Sequence, residues 1–378
     1  MDSFLKTVLQ PASILSGTII GAGVFALPYI FAQVGVLAGL VGLVLCGVLF
    51  GFLYYVYGDV IARTAGEHRF VGYARTYLGK PGFLLALFVG FFELIVILAI
   101  YLILAPSFSQ LIVGGAAGWH LLAFWIIASA VALSSNRKMA FLEFLIVAGI
   151  VMIMALLFIL GIPKFSPALI SGVDWKHLWN FAIVGPILFS LSGSLAVPEI
   201  IRYFHDEKIP VAFFRRTVWL GMGIAIVSYA AFVLGVLSLS PAVSSDAVSG
   251  LRGAVAPWVL AVIGVLGILS LLSSYIVAGL NVRHIVEYDL GLPRLAGAGT
   301  LVAAPLLLYM AGLQNFMGAV SFTGSIFLPL ESILIIFMWM KMRRQTTMEP
   351  VFSGVWTLVP AIGALVIFVT ILFYAILK

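Results

Sequence analysis

Two stretches of this sequence set helix-breaking residues inside apolar runs: GTIIGAGVFALPYI from Gly17 to Ile30, and FSLSGSLAVPEI from Phe189 to Ile200. Glycine and proline in such a run leave backbone N–H and C=O groups without helical partners, and in lipid each such group costs several kcal/mol unless something satisfies it. In the first stretch, a half-helix starting near Val24 presents the N–H groups of Ala22, Gly23 and Val24 at its positive dipole end, a seat for a carboxylate. The half that ends there frees carbonyls from Gly17 to Ile20, and carbonyls suit a cation. In the second, residues 189–194 add carbonyls and three hydroxyls. Together the breaks can hold an ammonium and a carboxylate, the backbone of an amino acid. GAGVFA also imitates a dinucleotide-binding G-x-G-x-x-A, but neither a strand nor a βαβ unit surrounds it.

Further oxygens lie at helical spacing. Ser270, Ser273 and Ser274 in SLLSSY share one helix face. Ser273 is ten residues from Arg283, and Ile20 is ten residues from Gln10, which puts both about 15 Å along their helices. Two carboxylates, Glu93 and Glu331, lie deepest in their apolar runs. A charge there costs at least about 2.5 kcal/mol, so each must face a cavity, pair, or hold a proton. Glu93 is expected at substrate depth, as a binding group or proton carrier. Glu331 follows Pro329 and is expected to cap a local break, and Glu199 to pair with Arg202.

The elements that position these groups follow from composition. The 378 residues are 63% hydrophobic and 9% charged, with a mean hydropathy of +1.22, more apolar surface than a soluble fold can bury. Eleven candidate spans cover residues 10–34, 36–62, 81–112, 119–134, 140–162, 179–203, 213–239, 253–285, 296–312, 316–340 and 353–376, each of helical rather than β-barrel length. If the N-terminus is cytosolic, 16 of the 20 Lys and Arg residues fall in inside segments; only Lys164, Lys176, Arg252 and Lys378 fall outside. This predicts a multi-pass protein of the cell membrane with a cytosolic N-terminus and an extracytosolic C-terminus. The net charge of +6 is dispersed over loops, without the basic and aromatic patch of a nucleic-acid binder. The single cysteine, Cys46, excludes an intrachain disulfide, and no nucleotide-binding, serine-nucleophile or zinc-hydrolase motif is present.

The two breaks are also related to each other. GVFALPYI from Gly23 and GSLAVPEI from Gly193 share Gly, Ala, Pro and Ile at a constant offset of 170 residues. Five spans separate them, so they run in opposite directions through the membrane, the signature of an inverted repeat.

SGTIIGAGVFALPY resembles the first-helix motif of the amino acid/polyamine/organocation superfamily, and FSLSGSLAVPEI resembles the sixth helix of its amino acid/auxin permease and hydroxy/aromatic amino acid permease branches. The resemblance implies an all-α LeuT-type fold: five plus five inverted helices, discontinuous first and sixth spans, and one additional C-terminal helix. The expected division is residues 1–165, 166–345 and 346–378. It implies a secondary active amino-acid transporter rather than an enzyme, with sodium favoured over a proton as the coupling ion; a transporter-like sensor is the alternative. By resemblance, the N–H groups of Ala22 and Gly23, beside Gly21, bind the substrate carboxylate, and the carbonyls of Ile19, Phe189, Ser190 and Ser192 bind its amine. SLLSSY is similar to the eighth-helix part of the sodium site shared by sodium-coupled LeuT-fold carriers. That similarity implies a site formed by the carbonyls of Gly17, Ile20 and Ser270 and the hydroxyls of Ser273 and Ser274.

Overall fold

In a computed structural model, the chain is described over residues 4–66, 68–134, 140–167, 169, 183–240, 242–345 and 358–377. Of the basic residues used for orientation, Arg137, Lys138, Lys176 and Lys378 lie outside these segments, as do the first residues of the spans expected at 179 and 353. The described residues contain helices and turns and no strand.

The helices are α1 (Gln10–Ile19), α2 (Leu27–Val34), α3 (Val36–Ala62), α4 (Phe70–Ile112), α5 (Ala117–Ser134), α6 (Ala140–Gly161), α7 (Val184–Ser190), α8 (Ala196–Asp206), α9 (Phe214–Leu239), α10 (Pro257–His284), α11 (Arg294–Met310), α12 (Phe316–Phe322), α13 (Leu328–Gln345) and α14 (Leu358–Leu377). Among the described residues, eight helical stretches are long and apolar enough to cross a membrane, nine with the bent pair around residue 20. The two other expected spans are α11 and the interrupted pair α7 and α8.

Besides the interrupted pair, three further stretches among the described residues depart from a straight rod. The first span bends by 51° between its halves. α4 is longer than expected because an N-terminal segment from Phe70 runs into the span across a kink at Gly79, whose φ of 70° only glycine adopts readily. The tenth span continues from α12 into α13 through a π-helical turn, Thr323–Phe327.

Small residues set the packing, as expected where lipid removes the hydrophobic drive between helices. Gly47, Gly51 and Gly58 of α3 lie against Ile226, Trp219 and Phe214 of α9. α4 packs along α10, and α6 along α9. Between α9 and α10 the loop turns back into the bundle and buries Ala247, Val248 and Leu251 completely. Asp246 organises it by accepting from the Ser244 and Ser249 hydroxyls, both at 2.6 Å, and from the Ser249 N–H at 3.0 Å. Burial raises the Asp246 carboxyl, but these bonds and one from Ser107 outweigh it and hold it below its ordinary value.

At one end of the bundle, α3 is tied to α13. Trp339 Nε1 donates to Asp59 Oδ2 at 2.9 Å. Arg63 Nε lies 2.7 Å from Asp59 Oδ1 in a buried ion pair, and Arg343 stacks over the Trp339 ring.

Candidate functional site

The backbone opens where the glycines predict. α1 ends at Ile19, Ile20 leaves helical geometry at ψ 85°, and Gly21 is extended. The chain then re-enters through a 3-10 helix, Ala22–Ala26, before α2 begins at Leu27. The expected α-helical start near Val24 is therefore corrected: the Val24 N–H turns back to the Gly21 carbonyl at 3.4 Å, and only Ala22 and Gly23 head the turn with N–H groups outside its ladder. Pro28 stands in the first turn of α2, where a missing N–H costs nothing. In the second break, α7 ends at Ser190 and α8 resumes at Ala196. There the Ser192 N–H donates to the Phe189 carbonyl at 3.2 Å and the Ala196 N–H to Gly193 at 3.0 Å.

The breaks face each other reciprocally. A Cβ on Gly23 would lie 2.6 Å from Ser190 Cα and 3.1 Å from a Phe189 ring carbon; one on Gly193 would lie 2.6 Å from Ile19 Cγ1. Gly193 is the repeat partner of Gly23, and Phe189 that of Ile19, at the same 170-residue offset. Each glycine therefore receives the residue that precedes the opposite break.

Two tyrosines satisfy much of the broken backbone. Tyr54, on α3, donates to the Leu191 carbonyl at 2.8 Å and accepts the Gly193 N–H at 2.5 Å. Tyr229, on α9, reaches the Ile19 carbonyl at 2.6 Å and that of Ser190 at 2.9 Å. Tyr54 thus joins the carbonyl of Leu191 to the N–H two positions later, and Tyr229 joins a carbonyl of one break to a carbonyl of the other. Part of what the breaks require is thus supplied by the protein's own hydroxyls. Neither tyrosine was singled out in the sequence. Their signal is a phenol in mid-span, since a buried Tyr hydroxyl seeks a partner.

Beside the second break lies a carboxyl pair. Glu93 of α4 and Glu331 of α13 are 7% and 8% exposed and interact electrostatically. The Ser194 hydroxyl, itself buried, lies in the neighbourhood of Glu331. Glu331 stands in the first turn after the π-helical turn of its own span and also near the break of the sixth. Glu199 pairs with Arg202 as expected.

The expected cation ligands are only partly gathered. Ser274 Oγ lies 3.9 Å from where a Cβ of Gly21 would stand, as does the Ile19 carbonyl. Ser270 is buried, and Ser273 and Ser274 are half-buried. Ile20 is buried, its N–H bonded to Ser16 at 2.8 Å. Gly17, in contrast, turns its Cβ direction toward Val147 of α6, and α1 packs chiefly against α9 and α8.

This architecture, an α-helical bundle with two facing interrupted spans, is the LeuT fold. The chain superimposes on MhsT in complex with L-phenylalanine with a TM-score of 0.69, at 16% identity and with 98% of each chain covered. It superimposes on the Eremococcus coleocola manganese transporter bound to an aromatic bis-isothiourea compound with a TM-score of 0.67, at 14% identity, covering 99% of this chain and 87% of that one. For a mutant of the same transporter the score is 0.62, at 13% identity, covering 99% and 86%. A search of curated proteins gives no match. Residues 6–377 match the model of the transmembrane amino acid transporter protein family, and the chain belongs to that family.

Proposed function

We propose that the protein carries amino acids across a cell membrane by alternating access, binding the amino-acid backbone between its two breaks. The observation that carries this reading is the reciprocal contact of Gly23 with Ser190 and of Gly193 with Ile19: the two interrupted backbones meet each other, and both ends of a zwitterion match the groups they expose. The carboxylate is assigned to the N–H groups of Ala22 and Gly23 beside Gly21, and the ammonium to the carbonyls of Ile19, Phe189, Ser190 and Ser192. A methyl does not fit between Gly23 and Ser190 in this arrangement, so loading requires the breaks to separate. Phenylalanine, bound by a neighbour of the same fold, is the first amino acid to try. The N-terminus is assigned to the cytosol and the C-terminus to the outside on the distribution of basic residues.

Sodium is the proposed coupling ion, held by the carbonyls of Gly17, Ile20 and Ser270 and the hydroxyls of Ser273 and Ser274. The approach of Ser274 to Gly21 supports it, since an ion there ties α10 to the first break. A proton is the second reading, favoured by Glu93 and Glu331, both buried and within electrostatic reach of each other: neighbouring carboxyl groups in apolar surroundings are a competent proton carrier.

The test is a thermal-shift screen of the twenty amino acids with and without sodium, followed by proteoliposome uptake under a sodium or a proton gradient imposed alone. A ligand of the folded state raises its melting temperature. Uptake under the sodium gradient alone supports the first reading and uptake under the proton gradient alone the second. A shift with no transport under any gradient makes the protein a sensor; no shift and no uptake sinks the amino-acid reading.

A further inference from the structure

The Tyr229 hydroxyl stands between two carbonyls, Ile19 at 2.6 Å and Ser190 at 2.9 Å, one from each interrupted span. It carries one proton and can serve only one of them fully at a time. Tyr54 differs, because both its partners, Leu191 and Gly193, belong to the same break. The bond between the breaks is therefore made by Tyr229, and the bond within one of them by Tyr54.

Resting on the reading that substrate sits between the breaks, we propose that Tyr229 is a positioning residue for the return of the unloaded carrier. Its hydroxyl stands in for the substrate ammonium when the breaks close on each other. The physical need is specific. A carrier that turns without cargo must bring the Ile19 and Ser190 carbonyls together in a buried place, and a carbonyl left there without a donor is destabilised by its lost solvation. The phenol O–H supplies a donor within reach of both carbonyls, so the closed form is served without cargo. Gly23 and Ser190 meet without room for a methyl, which is the closure such a return requires. An arriving ammonium brings three donors and a charge. Charge-assisted bonds to the carbonyls are about twice as strong as neutral ones, so substrate displaces the phenol, and net transport alternates between the two donors.

Tyr229→Phe removes the stand-in and leaves the substrate's own contacts. In proteoliposomes given an equimolar mixture of the twenty labelled L-amino acids, net uptake needs the unloaded return, whereas counterflow into vesicles preloaded with the unlabelled mixture bypasses it. Net uptake should fall about three- to tenfold more than counterflow, the worth of one hydrogen bond. Tyr54→Phe, which unpairs a single break, should lower both modes in proportion. Proportional loss in Tyr229→Phe overturns the proposal.

Ser192→Trp separates this from failure of the underlying reading. If Ser192→Trp still transports, the substrate lies elsewhere and both ideas fall; if it does not, proportional loss in Tyr229→Phe removes only the stand-in. Should Tyr229→Phe not fold, hydrogen exchange of the wild-type protein without amino acid decides. Slow exchange across residues 19–23 and 190–194 is expected, and rapid exchange overturns the proposal.

Discussion

Gly23 and Ser190 approach so closely that a methyl group on the glycine would lie 2.6 Å from the serine Cα. A backbone atom cannot yield as a flexible side chain does, so Gly23 is held to glycine by packing between the two breaks as well as by any ligand. Gly23→Ala should destabilise the protein by about 1–3 kcal/mol, the usual range for overpacking. Gly21→Ala should be far milder, because its φ is −137° and the nearest atoms to an added Cβ are 3.9 Å away. Thermal unfolding of both variants in detergent checks this; equal losses would contradict it.

Tyr54→Phe should cost about 1–3 kcal/mol, because it leaves the Leu191 carbonyl and the Gly193 N–H unpaired at a buried position. The measurement is unfolding under denaturant, and an unchanged midpoint would mean that water replaces the phenol.

The tie between α3 and α13 predicts an asymmetry. Arg63→Met leaves the Asp59 carboxylate buried without its ion-pair partner and with the Trp339 indole still donating to it, and breaking one side of a buried pair typically costs about 3–5 kcal/mol. Removing both charges, as in Asp59→Leu with Arg63→Met, should recover much of that loss. A double variant as unstable as the single one would show that the pair itself stabilises the tie.

Asp246 predicts a pH dependence in the loop between α9 and α10. Its carboxyl lies below the ordinary value of 3.8 in the folded protein. The bonds from Ser107, Ser244 and Ser249 therefore contribute fully above that pH and are lost as pH falls through the lower folded value. Loop protection, read by hydrogen exchange over residues 242–256, should drop below about pH 4, and Asp246→Asn should remove this acid step. Protection that stays constant to pH 2 in the wild type would contradict it.

Orientation is open to labelling. On a Cys46→Ala background, a cysteine at Arg252 should react with an impermeant thiol reagent added outside. One at His205, whose side chain is 90% exposed, should not. The reverse pattern inverts the proposed topology.

Much of this protein was legible in its sequence because the decisive quantities are local. Hydropathy over about twenty residues marks a span, and glycine with proline inside a span marks a break, so the helices, their interruptions near residues 20 and 192 and the inverted relation between them follow from the chain read in order. What closes those breaks is not local. Tyr54 lies 137 residues from the carbonyl it caps and Tyr229 lies 210 residues from Ile19, and no periodicity in either helix says which partner its hydroxyl will find. Pro329 places Glu331 at a turn of its own span, but that Glu93 and Ser194 stand nearby is decided by folding. The break itself is a property of a few residues, but the groups that satisfy it come from whichever helices the packing brings within about 3 Å, and only the tertiary structure decides that.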